Sequence, residues 1–252
     1  MKTIEIVSHC WAKKLPHYAS ALRYQLSSLI LNRPKRCKVK ATICYSMDDS
    51  LTNGVLDEFE SIRTFEGLDL QRLAFSPGEL GRRSIGRNLA AKITDANIVW
   101  FSDVDQCFRD GILDLLATMK WPSGASMIFP GEIQIHKDHA TGDVVLANAE
   151  GICDIDPTDF ISKRYSRAIG GVQIVQGSFA RQYGYLNHES KWQLITNGNF
   201  DRCRCDQPYR KFCGEKGKIQ KVRLPGLYRL RHTESGHGRA ASTGGGGFKE
   251  GV

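Results

Sequence analysis

The chain has 252 residues, 41% hydrophobic and 25% charged, an ordinary globular composition that excludes an extended disordered chain. No run of roughly 18 apolar residues occurs, which excludes a membrane-spanning helix. The formal net charge is +8, from 35 Lys and Arg against 27 Asp and Glu; this suits ligands that carry phosphate without saying whether they are nucleotides, lipids or nucleic acids.

In chain order, residues 4–7 read as a short apolar strand that ends in the polar turn Ser8-His9-Cys10. The opening segment is too short and mixed for a leader peptide, so the expected compartment is the cytoplasm. A helix is predicted over residues 16–31, with Ala19, Leu22, Leu26, Leu29 and Ile30 on one face and Pro16 in its first turn. Residues 39–45 alternate as a strand does and run into Met47-Asp48-Asp49. A helix over residues 51–61 and a strand over residues 70–75 follow. Strand, helix, strand, helix, strand argues for a largely parallel sheet covered by helices. Ligands of such sheets lie beyond the carboxyl ends of the strands. No G-x-G-x-x-G follows the first strand, so a dinucleotide-binding Rossmann domain is not indicated.

Residues 82–95 form the next predicted helix, with Ile85, Leu89, Ala90 and Ile93 inward. Ile98-Val99-Trp100-Phe101 is apolar on both faces and therefore central; it exits into Ser102-Asp103-Val104-Asp105. A helix capped near Asp110 and strands at 126–129, 144–147 and 172–175 come next. Helices at 178–185 and 207–213 and a strand at 219–224 complete the pattern. Beyond Gly236 the Gly- and Ser-rich composition predicts a flexible tail.

The eight cysteines, at 10, 37, 44, 107, 153, 203, 205 and 213, read as reduced thiols. Cys203, Cys205, Cys213 and His232 lack the paired spacing of structural zinc ligands. Basic residues gather at Arg33, Lys35, Arg36, Lys38 and Lys40 and between Arg202 and Arg231; a solvated surface patch is the ordinary reading of such runs.

Asp103 and Asp105 stand two apart where a buried strand ends. Their carboxylates are hard ligands suited to Mg²⁺ or Mn²⁺, ions that commonly share coordination with substrate phosphates. The run Ile85-Gly86-Arg87-Asn88-Leu89-Ala90-Ala91, followed by Ala96 to Asp105, resembles the core of family 2 glycosyltransferases. The resemblance implies a GT-A fold in one domain over residues 1–235, with 236–252 as the tail: a mostly parallel sheet with helices on both faces. It implies transfer of a sugar from a nucleotide-diphosphate donor, UDP-linked, with Mn²⁺ or Mg²⁺ as cofactor. Ser8 and His9 would line the nucleotide pocket and Asp48 or Asp49 would meet the base or ribose. Arg83, Arg87 and Asn88 would face the diphosphate or sugar, beside Ser102, Asp103 and Val104. Gly171, Gln176 and Gly177 resemble the segment shaping the sugar and acceptor subsites. Asp103, Asp105 and His232 would hold the metal. An inverting enzyme needs a carboxylate base near the acceptor hydroxyl; Asp206, and second Asp201, are the candidates. Cys205 stands where the family carries an acidic partner, a departure that leaves the stereochemistry open.

Two other readings compete. A nucleotidyltransferase could share this sheet and its acidic pair, but lacks here its glycine-rich phosphate loop. A nucleic-acid-binding protein could use the basic segments, though no zinc knuckle, RRM-like aromatic motif or basic helix repeat appears. The acceptor is a carbohydrate or another hydroxyl compound, with a nucleic-acid acceptor the less favoured option.

Overall fold

A computed structural model describes residues 1–13, 15–62, 68–185 and 205–233. The first five elements follow the predicted alternation: β1 (Lys2–His9), α1 (His17–Leu31), β2 (Cys37–Tyr45), α2 (Ser50–Ser61) and β3 (Leu68–Ala74). Next come α3 (Pro77–Leu80), α4 (Arg83–Ile93), β4 (Ile98–Ser102), β5 (Gln106–Phe108), α5 (Ile112–Thr118) and β6 (Ala125–Pro130). The chain continues through β7 (Glu132–His136), α6 (His139–Ala147), β8 (Phe160–Arg164), β9 (Val172–Gln176), α7 (Gly177–Tyr183), α8 (Asp206–Lys216), β10 (Lys218–Val222) and β11 (Leu227–Arg229).

Seven strands form the main sheet in the order β10-β6-β9-β4-β1-β2-β3. All its pairs are parallel except those of β9, which runs against both β4 and β6. β4 lies at the middle, and every one of its residues is buried, as its two-sided apolar sequence requires. Helices cover both faces, with α1 packed on α2 and α4 on α7. A second sheet, β5-β11-β7-β8, stands against α1 through β5. Apart from β11, whose residues fall in the run expected as basic surface, its strands are too short to show a period in sequence. Among the described residues no helix is long and apolar enough to cross a membrane.

Three expectations need correction. Residues 144–147 are not a strand but the end of α6. Val144 and Val145 favour a strand locally, yet Asp138 accepts a hydrogen bond from the Thr141 amide at 2.7 Å and starts a helix there. Asp110 does not cap α5: it and Gly111 both take positive φ, and the Asp110 carboxylate accepts from the Tyr228 hydroxyl instead. The inward face of α4 is also different. Ser84, Gly86, Arg87, Ala90 and Ala91 are buried, whereas Leu89 is 40% and Ile93 49% exposed. An arginine with a buried partner has taken the place that apolar periodicity assigned to leucine.

That rotation of α4 is testable by urea denaturation. Leu89→Gln and Ile93→Gln should each change stability by less than about 0.5 kcal/mol, as surface substitutions do. Ala90→Leu should cost about 1–3 kcal/mol by overpacking. The opposite ranking would restore the face expected from periodicity.

Candidate functional site

The parallel strands of the main sheet end together, and the acidic pair leaves β4 at that edge. Arg83 and Arg87 lie one turn apart on α4, so they share a face and converge on one oxygen. Arg83 Nη1 reaches Asp103 Oδ1 at 2.9 Å and Arg87 Nη2 reaches it at 3.3 Å. Arg87 is only 2% exposed; it also donates to the Ser102 carbonyl at 3.1 Å and to the Tyr185 hydroxyl at 3.0 Å. From the opposite side, Gln25 of α1 donates to the Asp103 and Gln106 carbonyls and to Ser102 Oγ. Ser102 and Val104 are buried supports of this turn. Asn88 is a clasp: its Oδ1 accepts from the Tyr185 amide at 3.1 Å.

Asp105 faces the second sheet. Its Oδ2 accepts from Arg229 Nε at 3.0 Å, and this carboxylate holds the Arg229 guanidinium above its ordinary pKa. Its Oδ1 is buried with no hydrogen-bond partner. Asp105, Arg229, His139, Lys163 and His232 line one cavity of about 260 Å³. His232 packs on the His17 ring at 4.4 Å, and its carbonyl meets His139 Nδ1 at 2.6 Å. Among the described residues no three His, Cys, Asp or Glu side chains form a ready metal cage. Of the described residues, Asp105 is the one carboxylate residue on that cavity, with His139 and His232 as its imidazoles, so a divalent ion there would take most of its ligands from substrate. Asp103, engaged by two arginines, has a different partnership.

At the end of β1, Ser8 Oγ and both His9 ring nitrogens are buried without partners. Burial, then the fields of Arg87 and Arg83, hold the His9 pKa well below its usual value, so the ring is neutral. Gly86 is what lets α4 lie on this ring; a Cβ there would stand 2.4 Å from His9 Nε2. Beyond β2 the two aspartates divide. Asp48 is on the surface, paired with Lys13 at 2.8 Å. Asp49 is fully buried and structural: it caps α2 through the Thr52 amide and binds the Ala12 amide at 2.6 Å, joining the β1 and β2 loops.

Gly171 lies beside the acidic turn, because Ser102 pairs with Val172. A Cβ on Gly171 would stand 2.7 Å from Asp103 Oδ2, so no larger residue fits without moving the carboxylate. Its neighbour Gly170 faces Asp206, whose Oδ2 would be 3.5 Å from a Cβ there. Asp103 and Asp206 are thus no more than about 13 Å apart. Gln176 and Gly177 go elsewhere. Because β9 is antiparallel, Gln176 pairs with Ile98 at the start of β4, about 13 Å of strand from Ser102. Asp201 and the tail lie outside the described residues.

Arg33 to Lys40 belong to the other edge too: Lys38 pairs with Thr3, and Lys40 forms an ion pair with Asp95. The cysteines at 10, 37, 44, 107, 153, 205 and 213 are buried, and Cys203 lies outside the described residues; burial pushes Cys10, Cys37 and Cys213 up to about 12. Sequence reasoning missed Gln25, Gln173, Tyr185 and Arg229. Arg229 carries the one available signal, two residues before Arg231-His232.

No protein-family model matches the sequence, and no curated protein matches it. Solved structures do. The chain is similar to TarS of S. aureus, at 12% identity and a TM-score of 0.55, over 91% of this chain and 37% of that one. It is also similar to TarS 1–349, at 13% identity and 0.54, over 91% and 60%. TarS 1–349 in complex with UDP matches at 13% identity and 0.52, over 90% and 60%. The chain therefore spans at most about 60% of these neighbours. At this identity the likeness shows the fold, which is a GT-A-like α/β domain.

His9 gives this site a pH signature. A folded-state pKa held below the ordinary value near 6.5 means that the unfolded chain binds the proton more tightly. The stability from neutral His9 is full above about pH 6.5 and is lost as the pH falls below it. Urea midpoints of the wild type should drop more between pH 7.5 and 5 than those of His9→Asn. Parallel curves would contradict the buried neutral ring.

Proposed function

We propose that the chain transfers a sugar from a UDP-linked donor to a hydroxyl acceptor, with the diphosphate bound at the exit of β4. One observation carries this reading: two carboxylates and three guanidiniums, Arg83, Arg87 and Arg229, gather where the central strand ends. Arg83 and Arg87 both face Asp103, so this side of the turn carries one cation more than it has carboxylates, and such fixed charge at a sheet edge favours an anionic ligand. The UDP complex of a protein with the same fold supports a nucleoside diphosphate as that ligand.

In this mechanism the acceptor oxygen forms a bond to the anomeric carbon as the carbon–oxygen bond to the diphosphate breaks. The bonding electrons leave with UDP, and Asp206 takes the acceptor proton. Arg83 is the partly accessible guanidinium positioned to meet the growing phosphate charge, while Arg87 holds Asp103 from beneath. Such fixed charges need no reorganisation during reaction, which is the source of their catalytic value. Asp105 and His232 would hold a divalent ion, which when bound supplies further positive charge beside the departing diphosphate. Ser8 and His9, buried with unpartnered polar atoms, would form the floor beneath the nucleotide.

Release of UDP from a panel of UDP-glucose, UDP-galactose and UDP-N-acetylglucosamine, with Mn²⁺ present, tests the proposal. The wild type should release UDP from at least one donor. EDTA or Asp105→Asn should reduce this to background, and Asp206→Asn should lower it by about 10²-fold or more while UDP still binds. Pyrophosphate as product, or no turnover of any donor, would overturn the reading; full activity in EDTA would remove the metal from it.

A further inference from the structure

A buried chain of hydrogen bonds joins the acidic turn to the start of α8. Arg87 binds Asp103 through Nη2 and the Tyr185 hydroxyl through Nη1 at 3.0 Å. The Tyr185 hydroxyl donates to Gln173 Oε1 at 2.8 Å, and Gln173 Nε2 donates to the Asp206 carbonyl at 3.0 Å. Tyr185 and Gln173 have no exposed surface. Aromatic rings enclose the link. Tyr185 stacks on Tyr209 of α8 with centroids 4.1 Å apart and meets the edge of Phe101 of β4 at 4.7 Å.

The direction of this chain is set by chemistry. A guanidinium has only donors, so the hydroxyl must accept from Arg87 and donate onward. Gln173 must then turn its carbonyl to Tyr185, which leaves its amide nitrogen facing α8. Rotating that amide would break both of its bonds and bury the lost partners, at a cost that buried polar groups rarely bear. Packing alone would be met as well by phenylalanine and methionine. From this we infer that Tyr185 and Gln173 are positioning residues: they hold the first turn of α8, and with it Asp206, at a set place relative to Asp103.

The inference rests on the proposed role of Asp206 as base, and the experiment separates the two. UDP release from the same donor panel is measured for Tyr185→Phe and Gln173→Met, each alone and combined with Asp206→Asn. Tyr185→Phe should lower kcat about tenfold, with the donor KM and the UDP Kd within about twofold of wild type. In the Asp206→Asn background the same change should cause no further loss, because the group it positions is gone. Losses that multiply, or an unchanged kcat, would overturn the inference. Should Tyr185→Phe fail to fold, Gln173→Met carries the same cycle. Hydrogen exchange on the ligand-free protein gives a readout that needs no activity: the amides of Tyr209, which donates to the Cys205 carbonyl, and of Arg210, the next in the helix, should exchange faster in both variants. Unchanged exchange there would overturn the relay even if turnover fell. A wild type that turns over no donor would instead contradict the proposed function, and the exchange result would still decide the relay.

Discussion

A guanidinium keeps its proton at any pH a folded protein survives, so a buried arginine must be answered by its surroundings. Arg87 is buried to 2% exposure, and its answers come from β4, the turn after it and the segment that follows α7. The Ser102 carbonyl, the Asp103 carboxylate and the Tyr185 hydroxyl each accept a hydrogen bond from it. These contacts fix α4 against the end of β4. Gly86, on the same buried face, lets the helix descend onto His9 of β1. The carboxyl edge of the sheet is therefore organised around one charge, and the acidic turn has little freedom to be elsewhere.

Asp105 repeats the arrangement on the other side, with Arg229 of β11 as its partner. The second sheet thereby becomes part of the site. β11 brings Arg229 in and leads directly to His232, and Leu230 donates its amide to the Asp105 carbonyl at 2.8 Å. The two aspartates are consequently unlike in their surroundings. Asp103 meets cations from α4, whereas Asp105 keeps one oxygen without a partner beside a polar cavity. One carboxylate thus orders two arginines, and the other keeps an oxygen that no hydrogen bond uses.

Much of the first hundred residues was legible because local and global signals agree there. β1, β2 and β4 have the period or the two-sided apolar run of buried strands, and their exits are polar. Legibility failed where a tertiary partner overrode a local preference. Apolar periodicity could not predict that Arg87, rather than Leu89, faces inward, since its partners lie at 102, 103 and 185. Val144 and Val145 suggested a strand, but the Asp138 cap and the docking of the 231–233 segment made a helix. Gln176 and Gly177 looked like part of a ligand loop until the antiparallel sense of β9 carried them to the far edge. Asp49 looked equivalent to Asp48, and only burial distinguishes a cap from a surface carboxylate. Tyr185 and Gln173 carry no sequence signal, because a lone tyrosine or glutamine gains its meaning from a chain of contacts.

The location of a bound nucleotide tests the central claim most directly. In a crystal structure of the protein soaked with UDP and Mn²⁺, the diphosphate should lie beyond the exit of β4. It should be within hydrogen-bond reach of Arg83 and beside the Asp103–Asp105 turn, with the uracil toward Ser8 and His9. Density for UDP at the amino edge of the sheet, near Lys38 and Gln176, or no bound nucleotide at millimolar concentration, would contradict the account.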